Sequence, residues 1–425
     1  MRKIKDSGVA WIGVIPENWQ LLSVGALFKV RNEKVNDTDY PPLSVTKGGI
    51  VPQMESVAKS DATDNRKMVL KNDFVINSRS DRKQSCGVSP LDGSVSLINT
   101  VLYPVPNAPV LPDYLDYLLK NYGFAEEFYR WGHGIVADLW TTRWQEMKNI
   151  FLPIPPVEEQ QKIIFSISIQ MEKVDALIAN VQEQIEKLKA YKQSLITEVV
   201  TKGLDPNVPM KDSGVEWIGE IANARSVYRL KYLLSTPLQY GANESGGKYT
   251  NDSVRYIRIT DICADGSLKN DENNQYLSEK VASDYVLNDG DVLLARSGGT
   301  VGKSFLYHAE YGASAFAGYL IKADCNRDKL LPEFLVYYTQ SSLYDIWKNM
   351  IFVQATIQNI GANKYSNLEI PIPPVDEQRT LVKELKVRCS KIDSLIHIKQ
   401  QKIEKLEQYK RSLIYEYVTG KKEVS

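Results

Sequence analysis

Residues 152–201 read LPIPPVEEQQKIIFSISIQMEKVDALIANVQEQIEKLKAYKQSLITEVVT, and this stretch decides the architecture because it occurs twice. Laid without a gap on residues 370–419, at a constant offset of 218, it is identical at 24 of 50 positions. After its proline leader neither copy contains Pro or Gly, so each predicts one uninterrupted helix. From Glu158 to Thr201 that is 44 residues, roughly 66 Å of helix at 1.5 Å per residue, too long to be hidden in one compact domain.

In the first copy Val174, Ile178, Val181, Ile185, Leu188, Leu195 and Val199 recur at alternating steps of four and three, with one slot skipped at Lys192. That is a heptad seam. The second copy repeats it with Ile392, Ile396, Ile403, Leu406, Leu413 and Tyr417, and places Lys399 and Lys410 where Val181 and Lys192 stand in the first. Near-identical seams suit mutual pairing: two long antiparallel coiled-coil helices forming a rod, with a globular head attached to each. The alternative, each helix folding back on its own head, stays open.

A second repeat opens the chain. Residues 5–13 read KDSGVAWIG and residues 211–219 read KDSGVEWIG, at an offset of 206, so the second globular region carries 12 more residues than the first. The first helix runs through TKGLDPNVPM into the second KDSGV, while the second helix runs out in YEYVTGKKEVS. Joined end to end the chain would close into a ring. The expectation is a pseudo-two-fold molecule in which the first KDSGVAWIG docks near the end of the second helix, with Trp11 and Trp217 either anchoring these contacts or serving as plain core aromatics.

The composition is that of an ordinary globular protein of two or three domains, 43% hydrophobic and 24% charged over 425 residues. There is no run of eighteen apolar residues and the N-terminus is too polar for a signal peptide, so a soluble, cytoplasmic protein is expected. Cys86, Cys263, Cys325 and Cys389 are scattered and only three histidines are present, which argues against a metal site or a disulfide framework. Fifty-two basic residues balance 52 acidic ones. Any nucleic-acid contact must therefore rest on local patches.

The two middles share a plan. An apolar run at 74–76 leads into a basic loop at 78–85, and one at 292–295 leads into 296–304; both read as a strand followed by a turn. Residues 94–105 and 253–259 read as further strands, and 111–129 and 331–347 as helices that start at a proline. These segments predict two α/β heads of α+β character with the same fold and little residue identity. SGGTVGKS at 297–304 does not make a phosphate loop, because with Gly302-Lys303-Ser304 in place the first glycine of the motif falls on Ser297. The repeated PIPPV is not the asparagine-proline-proline-aromatic motif of amino-methyltransferases either: Ile154 or Ile372 leads it, and neither can accept a hydrogen bond from a target amine. No catalytic residue is identified.

Taken together, the KDSGV-x-WIG opening, the P-I-P-P-x-x-EQ leader of a long helix ending in K-x-S-L-I, and their duplication around two divergent middles resemble the specificity (S) subunit of type I restriction-modification systems over almost the whole chain. The one local departure is IANAR at 221–225 where the first half has IPENW at 15–19. The resemblance implies a non-catalytic, sequence-specific DNA-recognition subunit. It implies target recognition domains at 1–155 and 206–373 and conserved spacer helices at 156–205 and 374–425. The heads would read the two halves of a bipartite, asymmetric site in double-stranded DNA, and the repeats would dock two modification subunits. Those partners methylate adenine at N6, restriction subunits translocate and cleave, and S-adenosylmethionine, ATP and Mg are bound by the partners, with no cofactor expected here.

Base-edge and phosphate contacts need Arg, Lys, Gln, Ser or Thr on exposed loops. In the first head the candidates are Lys47, Arg79, Arg82, Lys83, Gln84 and Arg143; in the second, Lys248, Arg296, Ser297, Thr300, Lys303, Gln354, Thr356 and Gln358. Each is weighed against being a solvated loop residue. Glu159, Gln160, Glu377 and Gln378 fall in first helical turns, where carboxylates suit the positive helix end. Two other classes compete: a non-catalytic coiled-coil protein-protein adaptor, which the zero net charge favours, and a self-contained methyltransferase, whose cofactor motifs are missing. Sequence-selective DNA binding separates the first, cofactor binding by the isolated chain the second.

Overall fold

The computed structural model describes residues 2–53, 65–79, 83–134, 140–263, 266–353 and 358–424. It comprises two compact units, Met1–Gln182 with Gln400–Ser425, and Glu183–Lys399. The division passes through both long helices, Val157–Lys202 and Val375–Val418. Each unit therefore holds one head together with part of each helix, whereas the sequence reading set heads and helices apart.

In the first unit the repeated opening is a hairpin, Ile4–Asp6 against Val14–Pro16. Its KDSG turn is closed by Asp6 Oδ1, which accepts from the Gly8 N–H at 3.0 Å, and by left-handed Gly8 and Gly13. Strand Gln20–Ser23 then pairs antiparallel with Phe151–Ile154, so the two ends of the head meet at a neck beside the proline leader. Above it lies a four-stranded antiparallel sheet in the order Cys86–Val88, Phe74–Asn77, Asn99–Pro104, Phe28–Val30. Helices Pro112–Lys120 and Tyr122–Arg130 share its core, through residues such as Phe74, Leu102, Leu115 and Phe124.

The second unit repeats this plan. Hairpin Met210–Asp212/Glu220–Ala222 keeps the register of the first, strand Ser226–Arg229 pairs with Glu369–Ile372, and the four-stranded sheet runs Ser304–Leu306, Val292–Ala295, Leu320–Ala323, Gln239–Tyr240. The offset is 206 at the neck strand and already 218 at Phe74 and Val292, so the 12 additional residues enter between these points. There the heads differ. The first builds an antiparallel sheet of Gly93–Val95, Arg66–Val69 and Lys34–Val35, whereas in the second Ser253–Ile257 pairs parallel with Ser314–Phe316 and antiparallel with Gln275–Ser278.

Three sequence expectations are corrected. The apolar run at 94–105 is two strands on different sheets, split at the turn in which Asn99 N–H bonds Ser96 O. The helix expected over 111–129 breaks at Asn121, whose extended backbone and side chain cap the next helix by accepting from Phe124 N–H at 3.1 Å. Its counterpart over 331–347 breaks likewise, into Pro332–Tyr338 and Ser342–Val353. Trp11 and Trp217 are half-buried flanks of the cores, and the fully enclosed positions of the opening are Ile12, Ile15 and Trp19.

The long helices match their expected bounds to within a residue at each end for the first copy. Every seam position from Val174 to Val199 and from Ile392 to Tyr417 is buried or half-buried. In the second unit Lys399 Nζ bonds Gln184 Oε1 at 2.6 Å and Lys192 Nζ lies 2.7 Å from Asp393, so the paired segments run antiparallel there. The lysines that interrupt the apolar seam thus reach polar groups on the facing helix. In the first unit Lys410 does the same with Asp175.

The EQ of the leader motif has a structural cause. Gln160 is fully buried; its Nε2 donates to the carbonyls of Pro109 (2.7 Å) and Pro155 (2.9 Å), and its Oε1 accepts from Leu111 N–H at 2.8 Å. Gln378 repeats all three bonds with Lys329 (2.8 Å), Pro373 (2.9 Å) and Leu331 (2.8 Å). Leu111 and Leu331 precede the proline-started helices of the heads. One amide per copy therefore ties head, leader and long helix together, satisfying backbone groups that burial would otherwise strand.

In the first unit the opening hairpin docks on the end of the second helix, where Tyr415 OH donates to Trp11 O at 2.8 Å and Lys421 Nζ to Ile12 O at 2.5 Å. In the second unit the corresponding hairpin meets the end of the first helix. Arg225, which stands where the first copy has Trp19, is fully buried and donates to the terminal carbonyls of Val199 (3.0 Å) and Val200 and to Glu377 (3.3 Å). A cation on the carbonyl end of a helix is favoured by the helix dipole. Burial lowers the Arg225 pKa and Glu377 opposes that shift.

Candidate nucleic-acid interface

Both candidate loops cap the same hairpin. In the first head Cys86 faces Ile76 and in the second Ser304 faces Leu294, so loops 78–85 and 296–303 leave equivalent strands in equivalent register. A third segment returns to each: Thr142 N–H bonds Ser78 O at 3.1 Å, as Ile360 N–H bonds Arg296 O at 2.8 Å. Each head thus gathers a hairpin loop and a return segment at one end of its four-stranded sheet.

At the tip of the first head Arg79 bridges Thr141, which in turn exchanges two 3.0 Å backbone bonds with His133. Arg79 and His133 are exposed, and exposed Arg143 follows directly on Thr142. Lys83 is held differently. Its Nζ lies 2.5 Å from Glu126 and 4.7 Å from the ring centre of Tyr129, itself stacked on Trp140. Gln84 turns the chain in a left-handed conformation (φ 65°) and, with Arg79 and Lys83, lines a recess whose walls include Tyr129 and Trp140. Lys47 stands apart on the exposed turn between Leu43–Thr46 and Gly49–Pro52. Arg82 lies outside the described residues.

In the second head Arg296 stacks its guanidinium 5.0 Å from the ring centre of Tyr240. Its backbone N–H bonds Tyr319 O at 3.0 Å, and Ser297 bridges Asn359, next to exposed Gln358. Among the described residues, Arg296 Nε and Thr300 Oγ1 are buried atoms with no hydrogen-bond partner. Lys303 is exposed where the loop rejoins its strand. Lys248 is exposed beside Gly247, which exchanges backbone bonds with Tyr276 of the separate three-stranded sheet. Gln354 and Thr356 lie outside the described residues. The glycine turn of 297–304 runs from strand to strand and launches no helix, which removes the phosphate-loop geometry.

Sequence reasoning missed the aromatic supports. Tyr129, Trp140, Tyr240 and Tyr319 hold or flank the candidate cations, and Tyr240 and Tyr319 are exposed. Their signal is faint: Tyr240 and Tyr319 each adjoin a glycine that lets backbone pass closely, Gly241 against Phe316 and Ala317, Gly318 against Ala242.

A model of the type I restriction modification DNA specificity domain matches residues 218–408. The chain is 23% identical over 430 aligned residues to a putative type I restriction enzyme MjaX specificity subunit of Methanocaldococcus jannaschii, covering 96% of this chain and 95% of that one. Over almost its whole length the chain is thus similar to a type I restriction enzyme specificity subunit. The MjaVIII specificity subunit of the same organism is 26% identical over 284 residues, 64% of this chain and 62% of that relative. In fold, a chain from a solved structure concerned with complex assembly and conformational transition of the type I R-M system superposes with a TM-score of 0.67 at 16% identity, covering 95% of this chain and 98% of that one. No helix among the described residues is long and apolar enough to cross a membrane.

Proposed function

We propose that the two heads of this specificity subunit read the two halves of a bipartite, asymmetric site in double-stranded DNA, through loops 78–85 and 296–303 and their return segments. The observation that carries this reading is one hairpin in one register presenting Arg79, Lys83 and Gln84 in the first head but Arg296, Ser297 and Thr300 in the second. Equivalent placement with different donors is what two different half-sites require.

In this reading the long helices form a rod that fixes the spacing of the heads, so their targets lie about one turn, ~10 bp, apart on one face of the duplex. The duplicated helices and necks dock two modification subunits, which supply adenine-N6 methylation with S-adenosylmethionine. Restriction subunits join through the same complex with ATP and Mg, and this chain performs no catalysis.

The test is to map N6-methyladenine in cells carrying this chain with its modification subunit, against cells lacking only this chain. A split motif that disappears with the chain is the expected result. If methylation by an assembled modification subunit followed no motif that depends on this chain, the reading would fail. Replacing residues 20–152 with the head of another family member should change one half of the motif and leave the other.

A further inference from the structure

The second unit carries a basic cleft that the first copy of the repeat does not reproduce. Its volume is about 460 Å³ and its apolar lining is Leu306, Leu331 and Val382. On one wall, Arg379, Lys383 and Lys386 follow one another at steps of four and three, which puts them on one face of the second long helix. All three are exposed, and none takes part in an ion pair or side-chain hydrogen bond among the described residues. Arg327 faces them from the head.

The acids of the cleft do not cancel this charge. Asp289 already lies 3.8 Å from both Arg327 and His308, which leaves Glu333 against three free cations. At the offset of 218 the first helix has Gln161, Phe165 and Ser168 in place of the three cations, and Phe165 is 66% exposed. The ladder is therefore no consequence of the shared helix design. Nor does it sit with the candidate reading loop: Asp289 and His308 flank the hairpin Val292–Ala295/Ser304–Leu306 at the end opposite to loop 296–303.

We propose that this cleft docks an acidic, partly apolar peptide segment of a partner protein, one per chain. The apolar lining takes one or two aliphatic side chains, and the cations pair with carboxylates on either side of them. The volume is that of a binding cleft, and the charge surplus selects the sign of the partner and speeds its encounter.

The test measures fluorescence anisotropy with the full-length chain at low salt. The probes are a labelled short peptide of alternating Glu and Leu, its Gln-Leu counterpart, and a short duplex without the methylation motif. The Glu peptide is expected to bind once per chain and at least about ten-fold more tightly than the Gln peptide. Lys383→Glu/Lys386→Glu should remove that preference, and Lys383→Arg/Lys386→Arg should keep it. Equal binding of the two peptides, or indifference to charge reversal, would overturn the proposal. Displacement of the peptide by the duplex, with duplex binding lost in the charge-reversed chain, would overturn it in favour of nucleic-acid phosphates. The side chains are on the surface, so both variants should melt with the parent chain; loss of the Glu preference in a folded Lys383→Arg/Lys386→Arg chain would also overturn the proposal.

Discussion

Lys410 Nζ lies 2.5 Å from Asp175 Oδ1 in the first unit, and the same contact, moved by the repeat offset of 218, is Lys192 with Asp393 in the second. Both pairs are solvent-accessible at the carboxylate, 56% and 52% exposed, so each should stabilise by only about 0.2–1 kcal/mol. Asp175→Ala and Asp393→Ala are expected to shift the melting temperature slightly, and less still at high salt. Ile185→Ala, at a fully buried seam position, should cost about 2–5 kcal/mol. Denaturant unfolding of the three variants checks the ranking. An ion-pair variant as damaging as the seam variant would mean that the charges, and not the apolar stripe, hold the helices.

Gln160 and Gln378 make a sharper prediction because their three bonds are duplicated. Replacing either with Ala strands one backbone donor and two carbonyls beside a buried site, at about 1–3 kcal/mol per unsatisfied group before relaxation or water entry. Each variant should lose about 3 kcal/mol, with faster amide exchange at Leu111 or Leu331. The methylation motif should not change. A loss below about 1 kcal/mol would show that water replaces the amide without difficulty.

The helices, the duplication and the hairpin loops were legible because they rest on local rules: heptad spacing, absence of Pro and Gly, and apolar runs ending in turns. The break at Asn121 was not, since its capping bond to Phe124 N–H competes with a helical pattern that continues through it. Gln160 and Gln378 were visible only as polar residues of a first turn, because two of the three partners of each lie about 50 residues away in sequence. The candidate segments do leave paired strands as turns, but the state of each cation was not readable. Nothing near Lys83 in sequence announces Glu126, and nothing near Arg296 announces Tyr240.

Those partners separate the candidates experimentally. Arg79 is exposed and Arg296 is held on a tyrosine face with an unsatisfied Nε. Removing either is expected to cost about 1–3 kcal/mol of discrimination and to relax one half of the motif. Lys83 must first leave Glu126, so Lys83→Ala should weaken binding by less than about 1 kcal/mol. Competition binding with duplexes altered in one half-site measures both. Loss of both halves on mutating Arg296 alone would count against the assignment of one half to each head.

Asp73 and Asp291 occupy the same turn in the two heads, each accepting the N–H three residues before it at 2.8 Å, yet their charges are treated differently. Asp73 receives Arg31 at 2.7 Å, while the nearest cation to Asp291 is Lys322 at 3.9 Å. Burial pushes the Asp291 carboxyl above the ordinary carboxylate range, against the opposing pull of the Asn288 N–H and Lys322. A carboxyl whose folded pKa is raised contributes stability below its unfolded pKa and loses that contribution as pH rises through the folded value. Asp291→Asn keeps an acceptor for the Asn288 N–H and has no charge to bury. It should therefore gain on the parent chain as pH rises from acid to neutral, and the gain should vanish at acid pH. Asp73→Asn should lose about 3 kcal/mol at neutral pH, because Arg31 then keeps only the exposed Glu33, at 3.5 Å, as an anionic partner. Thermal melts of both variants and the parent from acid to neutral pH decide the signs. A neutral-pH loss in Asp291→Asn would show that Lys322 compensates the buried charge despite its distance.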